Sequence, residues 1–338
     1  MKVIVTPDSF KGCLPAGKVA ALMAAGLRER HPDWEIVELP LADGGEGTLE
    51  ALLPALGGHL TEAVVQDPLG RPIRAKIGLS GQTAIVEVAE ACGLKLLPPG
   101  ERNPLIASTY GVGQLLLAAR EAGARHLLIG LGGTATCDGG MGMLQVPGLR
   151  KALQGCTLEL LCDVDNPFVG PNGAARIFAP QKGASPADVE VLEDRLLKYA
   201  DQLLEETGVD VRDLPGAGAA GGLGGALMAC FSAQKVSGIG RILELLHFQT
   251  LLEGTDLIVT GEGKSDSQTL MGKVPCGVLR AANGVPVVLA SGRIENGEDL
   301  LKAGFSRLIE ISPRDMSLEE AVKPDVAARN ILHAMASI

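Results

Sequence analysis

Acidic and lysine side chains recur together in glycine-rich turns of this chain, and the turns follow short apolar runs. Asp8-Ser9-Phe10-Lys11-Gly12 comes after Val3–Thr6, and Asp43-Gly44-Gly45-Glu46-Gly47 comes after Glu35–Leu39. Thr260-Gly261-Glu262-Gly263-Lys264-Ser265-Asp266 ends the run Leu257–Thr260, with Gly272-Lys273 shortly beyond. Phosphoryl transfer needs this mixture, because cations neutralise phosphates while carboxylates serve a divalent ion or the attacking hydroxyl. Cys162-Asp163-Val164-Asp165-Asn166-Pro167 closes another run with a D-x-D pair. If the strand extends that far, alternation aims both aspartates the same way, which suits Mg2+ or general-base work. Gly132-Gly133-Thr134-Ala135-Thr136-Cys137-Asp138-Gly139-Gly140 offers small residues that let backbone touch an anion, and Pro180-Gln181-Lys182-Gly183 sets a lysine just before a helix. Plainer readings stand beside these: Asp8 as a helix cap, 43–47 as a surface turn, and the D-x-D stretch as an Asx turn before proline.

Two familiar patterns do not hold. Gly12 to Lys18 has the spacing of a P-loop, but Val19 stands where Ser or Thr must hold Mg2+. Gly216-Ala217-Gly218-Ala219-Ala220-Gly221 matches G-x-G-x-x-G, yet it follows Asp213-Leu214-Pro215 rather than a strand, and no acid lies about 20 residues on. A backbone cradle for an anion remains open there. The five histidines show no metal spacing, and the seven cysteines form no C-x-x-C pair. Scattered cysteines in odd number fit a reduced, cytoplasmic compartment.

The elements that must position these turns are legible from periodicity. Val3–Thr6, Glu35–Leu39, Leu257–Thr260, Val285–Ala290 and Arg307–Ile311 read as continuous apolar strands separated by helical stretches such as Ala16–Arg30. That pattern predicts a parallel α/β sheet covered on both faces. Thr83–Ala89, His126–Leu131 and Thr157–Cys162 read as further strands, and Ala187–Glu206 as a long helix opened by Ser185-Pro186 and closed by Thr207-Gly208. The expected organisation is a discontinuous domain, 1–84 with 251–338, carrying an inserted domain, 85–250. The chain has 338 residues, 46% of them hydrophobic, which suffices for two cores. The 45 glycines make up about 13% of the chain, where about 7% is usual, and they cluster at turns rather than following a period. A net charge of −10 argues against a nucleic-acid face, and any anionic substrate must be held by a few local cations. The N-terminus reads as a strand rather than a signal peptide, and no apolar run approaches the ~18 residues of a membrane span.

Whole blocks resemble the bacterial type I glycerate kinase family. They are Pro7-Asp8-Ser9-Phe10-Lys11-Gly12, Ala42-Asp43-Gly44-Gly45-Glu46-Gly47-Thr48, Gly132 to Thr136, Cys162 to Pro167, Pro180 to Ala184, Pro215 to Gly224 and Thr260 to Gly263, in order over nearly the whole chain. The resemblance implies a flavodoxin-like α/β domain bearing a second, mixed-sheet domain. It implies ATP and Mg2+ as cofactors, and transfer to glycerate with 2-phosphoglycerate as product. The chain departs from the family pattern by a shortened stretch at 145–157, by a short loop at Ser291 to Glu295, and by Lys264-Ser265-Asp266 in place of Arg-hydrophobic-Asp.

The expected site is a cleft between the domains. Asp163, Lys182, Lys11 and Asp266 are the catalytic candidates, with Asp163 and Asp165 for the metal. Gly132, Gly133, Thr134, Gly216, Gly218, Gly221 and Lys273 are expected at the nucleotide. Asp8, Ser9, Asp43, Glu46 and Glu262 are expected at the substrate. The expected partners are glycerate and ATP, with no nucleic acid and no membrane, and the protein a monomer or homodimer. A phosphatase, a kinase for another hydroxy acid, or a non-catalytic sugar-acid-binding module are the alternatives on the same scaffold.

Overall fold

Short β-branched runs with few polar interruptions can be buried on both faces, and in this chain they form two sheets. The computed structural model describes residues 1–338, apart from the side chain of Met271. The strands in chain order are β1 (Lys2–Val5), β2 (Glu35–Glu38), β3 (His59–Gln66), β4 (Pro72–Ser80), β5 (Thr83–Glu87), β6 (His126–Gly130) and β7 (Thr157–Leu161). They continue as β8 (Gln234–Val236), β9 (Leu257–Thr260), β10 (Lys264–Ser265), β11 (Val287–Ser291), β12 (Arg293–Ile294) and β13 (Arg307–Glu310). The chain divides into two compact units. The first is Met1–Asp43, Glu50–Ala55 and Ile239–Ile338, and the second is Gly44–Leu49 and Leu56–Gly238.

The first unit holds a five-stranded sheet in the order β13-β11-β9-β1-β2, parallel throughout. Read from the other edge, that is the 2-1-3-4-5 order of a flavodoxin-like fold, with its switch point between β1 and β9. The expectation of a doubly wound parallel domain built from both chain ends is met. Val3, Val5, Val259, Val288 and Ala290 form the sheet side of one core. Helix Ala16–Arg30, whose limits match those read from the sequence, buries Val19, Ala20, Met23 and Leu27 there. Its alanines and Gly26 keep it thin. A Cβ on Gly26 would lie 2.8 Å from the Leu332 carbonyl oxygen of helix Pro324–Met335, so the two helices approach backbone to backbone.

The second unit holds a six-stranded mixed sheet, β3-β4-β5-β6-β7-β8. Strands β5 to β8 are parallel, and β3 and β4 are added antiparallel. The sequence boundary at 84/85 therefore differs from the structure. Strands β3 and β4 were expected in the first domain, but β4 turns into β5 through the two-residue loop Gly81-Gln82, with Gly81 at φ +55°, and so joins the second sheet. Long helix Pro186–Thr207 agrees with its expected limits to a residue at each end. Ser185 and Asp188 cap it reciprocally, and Gly208 closes it at φ +75°.

At the C-terminal edge of the first sheet, the turns after β9 and β11 run side by side. Gly292 and Arg293 donate their amides to the Glu262 and Gly263 carbonyls at 3.2 and 3.1 Å, and β10 then pairs with β12. A Cβ on Gly261 would fall 1.8 Å from the Ala290 oxygen. Gly261→Ala should therefore cost about 2 kcal/mol or more by overpacking, read as a lowered urea midpoint with unchanged slope. Gly81→Ala meets open space and pays only for its positive φ, about 1–2 kcal/mol. A Gly261→Ala protein as stable as wild type would show that the two turns are not held this close.

Candidate active site

Parallel strands deliver their following turns to one edge, so each sheet gathers one cluster. In the first unit, Asp8 follows β1 beside the switch point, and its amide donates to the Gly261 carbonyl at 2.8 Å. The Asp8 side chain is 3% exposed. Burial, with Asp43 and Glu262 nearby, pushes its carboxyl up to about 7, against the opposing pull of Lys11 and of the Ser9 amide, which donates to Oδ1 at 2.6 Å. A carboxyl that titrates near neutrality in a cluster of charges is suited to general acid or base work.

The other residues expected in this unit surround Asp8 or support it. Lys11 Nζ lies 3.8 Å from Asp43 Oδ2. Glu262 is buried and works as a hub: Thr269 Oγ1 donates to its Oε1 at 2.6 Å, Ser265 Oγ to the same oxygen at 3.1 Å, and Lys273 Nζ sits 3.3 Å from Oε2. Glu262 thus aims Lys273 and spends its own acceptors doing so. Ser265, the departure from the family pattern, is fully buried, and its hydroxyl also meets that of Ser291 at 2.7 Å. A serine is tolerated where the pattern is apolar because both neighbours satisfy it. Asp266, expected as catalytic, accepts the Gln268 amide at 2.9 Å and caps the turn Ser267–Met271. Asp8, Ser9, Lys11, Glu262 and Lys273 line a cavity of about 350 Å³ within this unit.

In the second unit, Lys182 is 2% exposed. Its Nζ donates to Thr134 Oγ1 at 3.0 Å and to the Thr136 carbonyl at 2.6 Å, and among the described residues it forms no ion pair. Burial lowers its pKa, opposed by Cys137, Cys92 and Asp138. An ammonium has three donors, so one remains for a ligand. Burying it without a counter-charge is costly unless an anion arrives. Asp138 acts on it through space rather than by direct contact. Its oxygens accept the Thr109 amide and hydroxyl at 2.8 Å each and the Gly140 and Gly142 amides at 3.1 Å.

Several expected residues have structural employment. The D-x-D pair lies beyond the end of β7, so strand alternation does not apply. Asp163 Oδ1 accepts Ser237 Oγ at 2.8 Å and the Gly238 amide at 3.0 Å, while Asp165 pairs with Lys235. Glu46 pairs with Lys95. Gly132 and Gly44 are close-approach positions: a Cβ would lie 2.6 Å from Gly45 Cα and from the Leu161 oxygen, respectively. Gly216, Gly218 and Gly221 serve packing too, with a Cβ on Gly221 reaching 2.1 Å from the Thr136 oxygen. In that loop the amides of Gly218, Ala219 and Gly222 donate to the carbonyls of Asn166, Gly216 and Gly218. Gly133, at φ +74°, accepts the Leu94 amide through its carbonyl. The stretch at 145–157 is continuous, passing from helix Met141–Leu144 through Leu149–Ala152 into β7. Sequence reasoning missed what distinguishes Asp8 among the carboxylates, namely its burial beside two others. The neighbouring β-run and Phe10 were the only hint of it.

A cluster of acids and lysines on the C-terminal edge of the parallel sheet, with a buried carboxyl among them, suits an α/β phosphotransferase. The comparisons then give the family. A model of the Glycerate kinase family matches residues 3–152 and 145–338, the two matches meeting at the shortened stretch. The chain is 41% identical to the glycerate kinase of Bacillus subtilis (strain 168) over 354 residues, with 95% of this chain and 93% of that protein covered. It is 40% identical to the glycerate 2-kinase of Escherichia coli (strain K12), with 99% and 98% covered. A crystal structure of a putative glycerate kinase 2 from Salmonella typhimurium LT2 superposes with a TM-score of 0.83 at 39% identity, over 100% of this chain and 96% of the other. This chain belongs to the glycerate kinase family. Among the described residues, no helix is long and apolar enough to cross a membrane.

The pKa of Asp8 carries a sign that can be checked. Below about pH 7 the carboxyl keeps its proton and cannot take another, so kcat/KM should rise about tenfold per pH unit toward about 7 and then level. Asp8→Asn should lower kcat by about 10²–10⁴ and abolish that limb. A limb that persists in the variant would remove Asp8 from the chemistry. The same shift affects stability: the unfolded chain loses this proton near 3.8 and the folded one near 7, so folding weakens as pH rises between those values.

Proposed function

We propose that this protein transfers the γ-phosphoryl group of ATP to glycerate, giving 2-phosphoglycerate and ADP. Family membership supports the reaction class, and the name of the Escherichia coli relative, glycerate 2-kinase, supports the position of transfer. The observation that carries the chemistry is Asp8, a buried carboxyl held near neutrality at a sheet switch point with Lys11 beside it. As a glycerate hydroxyl oxygen bonds to the γ-phosphorus, the bond to the β,γ-bridging oxygen breaks, and the hydroxyl proton passes to the Asp8 carboxylate. ADP leaves with the electron pair of the broken bond. Most of the acceleration comes from positioning and charge neutralisation rather than from the proton transfer. Lys11 and Lys273 neutralise phosphate oxygens, and Lys182 gives its third N–H to an anionic oxygen of a reactant.

Among the described residues, no three His, Cys, Asp or Glu side chains converge on one metal position. Mg2+ in phosphoryl-transfer sites is usually held by one or two carboxylates and by the nucleotide's own phosphates. Asp165, exposed after β7, is a carboxylate of this kind. Bound Mg2+ would add charge neutralisation at the transferring group. All seven cysteines are free thiols, which supports a reducing, cytoplasmic setting.

Incubation with glycerate, ATP and Mg2+ tests the reaction, with ³¹P NMR separating 2- from 3-phosphoglycerate. Another hydroxy acid turning over much faster than glycerate would reassign the substrate. Binding of glycerate without ADP formation would favour a non-catalytic module. Lys182→Met separates function from folding. It should lower kcat/KM by at least about 100-fold, while leaving the thermal midpoint equal or higher, because an uncompensated buried charge has been removed. Retention of wild-type kcat/KM would show that the buried ammonium has no role in turnover.

A further inference from the structure

The cavity of the first unit is lined by two chemically different sets of side chains. Lys11, Lys264, Lys273 and Arg293 line it together with Asp8 and Glu262. Its apolar wall is made by Phe10, Ile311, Leu318 and Val322, with Leu318 70% exposed and Val322 39% exposed. Glycerate is a three-carbon hydroxy acid with no apolar face and gains nothing from such a wall. An adenine nucleotide has both parts: a flat base that gains from apolar contact and a polyphosphate that needs cations. The position agrees, since the cavity lies outside the carboxyl ends of β1, β9, β11 and β13, at the switch point where doubly wound sheets bind nucleotides and flavins.

Resting on the reading of this chain as an ATP-dependent kinase, we propose that this cavity holds the nucleotide, with the base against Leu318 and Val322 and the phosphates toward Lys11 and Lys273. The glycine loops at 132–134 and 216–221, the nucleotide candidates from sequence, are then packing elements, as their close contacts already indicate. Leu318 and Val322 act here by covering the base, and their exposure allows substitution without disturbing a core.

Calorimetric titration of the full-length protein with Mg2+–ADP tests this directly. Leu318→Ser combined with Val322→Ser should weaken ADP by about tenfold, the worth of one well-covered apolar side chain. Leu60→Ser, at an exposed position on the edge strand β3 of the other unit, should leave ADP affinity within about twofold. The KM for ATP should rise with the ADP dissociation constant while the KM for glycerate stays within about twofold. Unchanged ADP affinity in the double variant, or a rise confined to the glycerate KM, would overturn the assignment. A wild-type protein that binds ADP, loses it in the double variant, yet forms no product from glycerate would leave this site standing and sink only the substrate reading.

Discussion

Backbone brought against backbone at the C-terminal edges of the sheets is the constraint on which both clusters depend. Gly261 against Ala290, Gly292 against Gly263, and Gly44 against Leu161 are separations at which any side chain would collide. In the first unit they let the turn after β9 lie directly on the turn after its neighbour β11. Glu262 can then stand within reach of Ser265, Thr269 and Lys273 at once, and the Gly261 carbonyl can meet the amide of Asp8. The excess of glycine in this sequence reflects that geometry more than flexibility. Many of these residues sit at φ angles open to any side chain and are small only because of what faces them.

The electrostatic arrangement follows from the same crowding. A chain of net charge −10 repels anionic substrates on average. Three carboxylates at the switch point, Asp8, Asp43 and Glu262, would deepen the problem if all were ionised, and the cost falls on Asp8 because it is the most buried. Its proton is the cheapest relief while no cation is bound. Lys182 shows the reverse case, a buried charge whose hydrogen-bond partners are neutral oxygens. Both groups are held in states that water would not favour. Arrival of an opposite charge would improve the surroundings of each.

The legibility of the sequence divided along physical lines. Continuous apolar strands and the strong caps of helix Pro186–Thr207 were readable because their causes are local. The hairpin β3–β4 was misassigned because nothing local says which sheet an antiparallel pair will join; the Gly81-Gln82 turn decides it by carrying β4 straight into β5. The glycine-rich turns are legible in the sequence, but their members cannot be ranked from it. Asp163, Glu262 and Asp266 look alike in sequence, and they differ only in what fills their acceptors. Those partners lie at positions 237–238, 265 with 269, and 268. Asp8 stands apart because so few donors reach it, and a lack of partners leaves no mark in a sequence.

Glu262 illustrates why a carboxylate in a phosphoryl-transfer site need not be chemical. An isolated lysine on a glycine turn explores many rotamers and pays about 2 kcal/mol to settle on a phosphate. Lys273 instead begins from a position 3.3 Å from a buried carboxylate that is itself pinned by two hydroxyls. The pairing fixes where the ammonium starts and lowers that ordering cost for any anion it meets. The same reasoning explains the serine at position 265. An apolar residue there would fill the space but would leave Glu262 with one donor fewer, and a less firmly held Glu262 would position Lys273 less well.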